Sequence, residues 1–276
     1  MRCGTAEHLA LFCDSFIGTH RAYDPAALPW PPLDPAALAF LRSVPFFGTI
    51  LAVETNAGTM LRGFAETLEE PRLREAVTLQ AFEEERHAAI IEAFLRAYEI
   101  EWEMPSTPPA APTRREFTAF GYQESLETFL GYGVFSIAGK ASLFPAQFLA
   151  NFDDLLTEEA RHITFFANWV AYERARSADD GAIAELRDAI VGYYGAATRM
   201  VRSFSNDVGG PWFNAHNARS LVGEVRPVDI LVQCVHEHRR HMAAIDKRLK
   251  QPRFMPTIAQ AAIAALRRLP PRTTLA

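Results

Sequence analysis

The sequence predicts an all-α fold: a four-helix bundle with one long crossover, plus additional N- and C-terminal helices. Apolar residues recur at three- and four-residue spacing almost throughout, and strand-like alternation bounded by turn residues is absent. Prolines gather in two stretches, 25–35 and 105–112, where they separate helical segments rather than interrupt them. The junctions between the long segments are short twice and long once.

The elements follow in order. Residues 5–18 read as a short helix. Pro25, Pro29, Pro31, Pro32 and Pro35 then mark an extended arm, since proline removes the amide and clashes with the preceding turn. Asp34-Pro35 supplies an N-cap and a first helical residue for a short helix to about Arg42. The first long helix runs from about Pro45 to Thr67 and stops at Glu69-Glu70-Pro71. The second runs from Pro71 to Tyr98. Between Glu103 and Pro112 four prolines enforce a non-helical link. Thr113 and Glu116 form a T-x-x-E capping box for the third helix, ending near Gly139. The fourth begins at Pro145 and reaches Arg176, after a turn near residues 142–143. Further helices are expected near 181–205 and 228–250, with a last amphipathic piece from Pro256 to Arg268.

Link lengths set the topology. Short turns make the first pair and the second pair antiparallel. The proline-rich link is different: in polyproline conformation roughly a dozen residues reach about 37 Å. A helix of roughly 26 residues is about 39 Å long, so the link can run the length of the bundle. The 276 residues therefore read as a single domain, 1–276. It comprises an N-terminal arm with short helices (1–44), a four-helix core (45–176) and additional C-terminal helices (177–276).

Composition bounds the function. Hydrophobic residues at 49% and charged residues at 22% are ordinary for a globular protein. The net charge of −5 gives no reason to expect nucleic acid as a partner. Charge is uneven, because from Arg239 onward nine basic residues face one acid, Asp246. This segment neutralises the protein's own acidic surface, or docks an acidic carrier protein or a phosphate-bearing substrate. Three cysteines without a CxxC pair fit a reducing compartment, and no apolar run approaches the roughly 20 residues of a bilayer span. A cytoplasmic protein without a membrane partner is the expectation.

One word occurs twice. Residues 83–87 read Glu-Glu-Glu-Arg-His and residues 158–162 read Glu-Glu-Ala-Arg-His, and the chain holds no other E-x-x-H. On a helix, positions i and i+3 share a face, so Glu84 with His87 and Glu159 with His162 each project a carboxylate and an imidazole together. Two such pairs on facing helices can hold two metal ions, with one further carboxylate from each of the other helices. Counting back from the first turn, the mirror of Glu84 is Glu54, the only acid between Phe46 and Phe64. It lies among small and apolar residues, where an unpaired carboxylate is costly to bury. On the third helix the mirror of Glu159 falls near residue 126, which favours Glu127 and leaves Glu124 in reserve one turn away. E-T-x-x-G occurs at both Glu54 and Glu127, so the helix pair reads as duplicated.

The pattern Glu54…Glu84-x-x-His87…Glu127…Glu159-x-x-His162 resembles the ferritin-like di-iron carboxylate superfamily. That group includes ferritins, rubrerythrins, soluble fatty-acyl desaturases, a tRNA-modifying hydroxylase and arylamine N-oxygenases. The resemblance spans about residues 45–175 and is specific for the site rather than for the reaction. It implies a ferritin-like bundle binding two iron ions, with manganese or a mixed Mn/Fe pair as variants. Four carboxylates and two imidazoles suit such redox metals better than zinc, which favours four ligands and sulfur. It also implies an O2-dependent oxidase or oxygenase acting on a small organic substrate, with an electron donor or acidic carrier protein as partner and a homodimer as assembly. A ferroxidase without organic substrate and a metal-free helical scaffold are the competing readings. The chain departs from rubrerythrins in lacking a CxxC pair. It departs from the N-oxygenases in having Leu155 where they add a histidine.

Three further expectations concern the surroundings. Arg86 and Arg161 read either as partners of acids that orient the ligand histidines or as ordinary surface salt bridges. His236, His238 and His241 read as a partly exposed His-Arg surface, with metal binding by His238 and His241, which share an i,i+3 face, as the lesser alternative. Phe120, Phe135 and Phe144 belong to the core and can also line an apolar cavity beside the metals.

Overall fold

The computed structural model describes residues 2–44, 47–104, 108–141, 144–177, 181–208 and 225–268, with side chains of 203–208 left out. Helices account for all its regular structure, and no strand occurs among the described residues. They are α1 (Ala6–Gly18), α2 (Pro35–Arg42), α3 (Phe47–Glu66), α4 (Pro71–Ala97), α5 (Arg114–Lys140), α6 (Ala146–Ala175), α7 (Ala182–Val208), α8 (Pro227–Met242) and α9 (Phe254–Leu266). A single 3-10 turn, Pro25–Ala27, interrupts the arm. No single described helix is long and apolar enough to cross a membrane.

Capping chemistry sets the starts. Asp34 accepts from the amides of Ala36 and Ala37 at α2, Glu70 from Leu73 at α4, and Thr113 from Glu116 at α5. Each satisfies an amide that the first turn leaves without an intrahelical partner. The predicted start at Pro45 and the turn at 142–143 lie outside the described residues.

Two apolar clusters fix the helix directions. One joins Phe12 and Phe16 of α1 to Leu61 and Phe64 of α3, Ala76 and Val77 of α4, Phe117 of α5, and Phe165 and Trp169 of α6. The other joins Leu51 of α3, Phe94 and Leu95 of α4, and Phe148 and Phe152 of α6, with Phe135 of α5 against it. Helices α4 and α5 therefore run from the first cluster to the second, and α3 and α6 run back. Because α4 and α5 are parallel, the chain between them must return along the bundle. Two glycines of α3 mark its course: a Cβ on Gly48 would strike the Glu103 backbone, and one on Gly63 would meet Pro112. A side chain at either position would push the link off the helix.

The helix expected over 228–250 ends at Met242. Its continuation is held by α6 instead, where the Asn168 side chain accepts from the Lys250 amide at 2.9 Å and donates to the Lys250 carbonyl at 2.8 Å. This tertiary clasp replaces the intrahelical ladder.

Candidate metal centre

Between the two apolar clusters α4 and α6 each bring one copy of the repeated word to the bundle interior. Glu83, Glu84, Arg86 and His87 are all buried, as are Glu158, Glu159, Arg161 and His162. Eight ionisable side chains at one level are tolerable only if they satisfy one another or a bound cation.

The outer half satisfies itself. Glu158 of α6 lies 3.0 Å from His87 Nε2 of α4, and Glu83 of α4 lies 2.9 Å from His162 Nε2 of α6. Each helix thus supplies the carboxylate that orients the other helix's histidine. Arg86 donates to Glu158 at 2.6 Å and Arg161 to Glu83 at 2.8 Å, as expected for guanidiniums that fix the orienting acids. The arm closes over both: His20 Nδ1 lies 2.6 Å from Glu83, and the Tyr23 hydroxyl donates to Glu158 at 3.2 Å. Arg86 and Arg161 also donate to the carbonyls of Arg21 and Phe16.

With Nε2 turned to a carboxylate, Nδ1 is the nitrogen left to face the interior, and it becomes a ligand once a metal displaces its proton. Both Nδ1 atoms point inward. His87 Nδ1 lies 2.9 Å from Glu159, 3.5 Å from Glu84 and 3.7 Å from Glu54. His162 Nδ1 lies 3.0 Å from Glu84 and 3.6 Å from Glu159. Yet neither Nδ1 has a hydrogen-bond partner of acceptable geometry, and neither do both oxygens of Glu84 or Oε2 of Glu124. One ligand atom each from Glu84, His87, Glu159 and His162 lies within 4.8 Å of the others. The group is a buried, oxygen- and nitrogen-rich cluster that can hold a metal ion.

The electrostatics fit a site built for positive charge. Burial alone would lower the pKa of both histidines, but the surrounding carboxylates hold them well above the usual imidazole range. Burial pushes Glu54 up to about 8. Glu84 and Glu159 sit below the usual carboxylate value although burial opposes it, because both imidazoles face them. Glu83 and Glu158 are lowered too, against burial, by His162 with Arg161 and by His87 with Arg86 respectively.

Helix α5 offers both predicted candidates. Burial and the nearby charges of Glu159 and Glu84 hold the Glu124 carboxyl well above its ordinary value. Glu127 instead accepts from Gln123 at 3.1 Å, and burial raises it to about 7. Thr128 donates to Glu159 at 3.4 Å.

Sequence reasoning named the arginines but not Glu83 and Glu158 as their partners. The signal was present as the first glutamate of each repeated word. His20 and Tyr23 had no such signal, since they come from the arm rather than from a repeat. The C-terminal histidines are a correction: His238 and His241 are each only 5% exposed, and His236 alone lies on the surface. Packing of α8 on α5 buries them, with the His241 ring stacked on Tyr132 at 4.6 Å.

No family model, curated protein or solved structure matches the chain.

Proposed function

We propose that this chain is a ferritin-like, non-haem di-iron protein that catalyses an O2-dependent oxidation of a small organic substrate. One observation carries the reading: both buried Nδ1 atoms and both oxygens of Glu84 lack a hydrogen-bond partner, and one ligand atom from each of Glu84, His87, Glu159 and His162 lies within 4.8 Å of the others. Unsatisfied buried polar atoms are rare in folded proteins, and a coordinated ion accounts for all of these together.

The residues that would hold the metals are Glu54, Glu84, His87, Glu159 and His162, with Glu124 in preference to Glu127. Oε2 of Glu124 is buried without a partner beside the charges of Glu159 and Glu84, whereas Glu127 is engaged by Gln123. The charges agree. Glu83 with Arg161 and Glu158 with Arg86 are internally neutral pairs. Glu54, Glu84, Glu124 and Glu159 then carry the charge of two divalent cations. Mixed carboxylate and imidazole donors without sulfur suit iron or manganese.

Bound there, the metals would supply dioxygen activation and the electrons for it. The chain's own residues do the rest. Glu83 and Glu158 hold the imidazoles in the tautomer that presents Nδ1. Arg86 and Arg161 keep those two carboxylates ionised, and the apolar clusters on either side exclude water from both ends of the site. An electron donor is required as a partner, and the basic C-terminal stretch suits an acidic one.

The test is metal analysis of protein produced with iron in the medium, followed by O2 uptake. Two iron ions per chain and substrate-dependent O2 consumption are expected. A preparation that acquires neither iron nor manganese, with Glu84→Ala leaving the melting temperature unchanged, would refute the site. Assembly into a large cage that mineralises iron would favour a ferroxidase instead.

A further inference from the structure

A cavity of about 210 Å³ opens between α5, α6 and α8. It lies one helical turn from the candidate centre on two helices. Tyr132 follows Thr128 by four residues on α5, and Leu156 precedes Glu159 by three on α6. Thr128 and Glu159 themselves touch across the helices. One turn is about 5.4 Å along the axis, so the cavity adjoins the ligand set. Its mouth is formed by Asp153 and Arg240, each about half exposed at 47% and 49%. Its inner wall carries Tyr132, only 1% exposed.

The lining selects against charge. Among the described lining residues Arg240 is the only cation, and it is spent: it donates to both Asp153 and Glu237, and its Nη2 lies 2.9 Å from His241 Nε2. His241 adds no positive charge, since burial and the Arg240 guanidinium push it down to about 4. An anion would meet two carboxylates with no free cation. A cation would have to displace Arg240 from its partners. Ser136 is also occupied, by Gln233 and Glu237.

One polar atom of the lining is buried without a partner, the Tyr132 hydroxyl. A buried hydroxyl lacking an acceptor costs about 1–3 kcal/mol, so an acceptor brought to Tyr132 gains a donor that no described residue engages. The apolar part of the wall is Phe135, Leu149, Ala150 and Leu156. An apolar cavity of on the order of 150 Å³ takes a benzene molecule, so this one has room for a substituted ring.

We propose that this cavity is the substrate chamber of the centre. It takes a small uncharged molecule with an apolar body and one carbonyl or hydroxyl oxygen, which receives the Tyr132 hydroxyl. The inference rests on the di-iron reading for its role, and on the cavity alone for its ligand class.

The experiment measures binding of four ring probes of similar size to the full chain by calorimetry, with iron content determined on the same preparation. Acetophenone and benzyl alcohol are expected to bind, and benzoate and benzylamine at least tenfold more weakly. Tyr132→Phe should weaken the two neutral probes about tenfold, the equivalent of about 1.4 kcal/mol. Leu156→Trp, which fills the space, should abolish binding of all four. Absence of binding by the neutral probes overturns the proposal, as does binding that ignores both substitutions. Two irons per chain without probe binding would sink this inference alone. Probe binding without iron would keep the ligand class but remove the cavity's role as a substrate chamber.

Discussion

Glu158 on α6 lies 3.0 Å from the Nε2 atom of His87 on α4, a residue 71 positions away. The reciprocal bond, Glu83 to His162, makes the two copies of the repeated word a crossed pair rather than two independent ones. Neither helix orients its own histidine.

The first prediction follows from this crossing. Glu83→Gln and Glu158→Gln each remove one orienting carboxylate while keeping its shape. Each should lower metal affinity 10- to 100-fold, the range typical of partners that orient a ligand imidazole. Metal-chelator competition measures this. Equal losses are expected from the two variants, because the two halves are built alike.

A second prediction separates the candidates on α5. Glu124→Gln should reduce the metal content at saturation, whereas Glu127→Gln should leave it unchanged. Atomic absorption on protein reconstituted with ferrous iron reads the difference directly. The opposite ranking would return the ligand role to Glu127.

The third concerns pH. Metal binding displaces protons from His87 and His162, both held well above the ordinary imidazole value, and from Glu54, held at about 8. Apparent affinity should therefore rise as pH increases through about 8, with proton release visible as calorimetric heats that depend on the buffer. Metal-free stability changes in the opposite sense. The stability from the two histidines is complete below their unfolded value of about 6.5 and is lost as pH rises through the raised folded values. Glu54 acts the same way, since between about 4.3 and its raised folded value a rise in pH favours the unfolded chain. Melting of the metal-free protein should thus shift downward between pH 6 and pH 8.5, and the shift should disappear once metal is bound.

The fourth tests the clasp that ends α8. Asn168 is fully buried and holds both the amide and the carbonyl of Lys250. Asn168→Leu leaves both groups without their partner and should destabilise the fold by about 3 kcal/mol. Hydrogen exchange should speed up over residues 243–253 before it does so in α6.

Much of the fold was legible because its signals are local. Proline placement, the Asp34 and Thr113 caps and the spacing of apolar residues each act within one or two turns, and α1 to α6 begin and end within two residues of expectation wherever their ends are described. The end of α8 was not legible, because Asn168 sits some eighty residues upstream. The burial of His238 and His241 was hidden for the same kind of reason: their neighbour Tyr132 belongs to another helix.

For the site, the sequence by itself determined which side chains can share a helix face. E-x-x-H twice on long helices puts Glu84 beside His87 and Glu159 beside His162, because helical periodicity allows nothing else. Tertiary structure alone decided which helix orients which histidine, that the arm closes over the orienting acids through His20 and Tyr23, and that Glu124 keeps a buried oxygen without a partner while Glu127 is engaged by Gln123. Those outcomes depend on how the helices are rotated and offset against one another. Packing of the apolar clusters sets that rotation, and no local pattern in the chain encodes it.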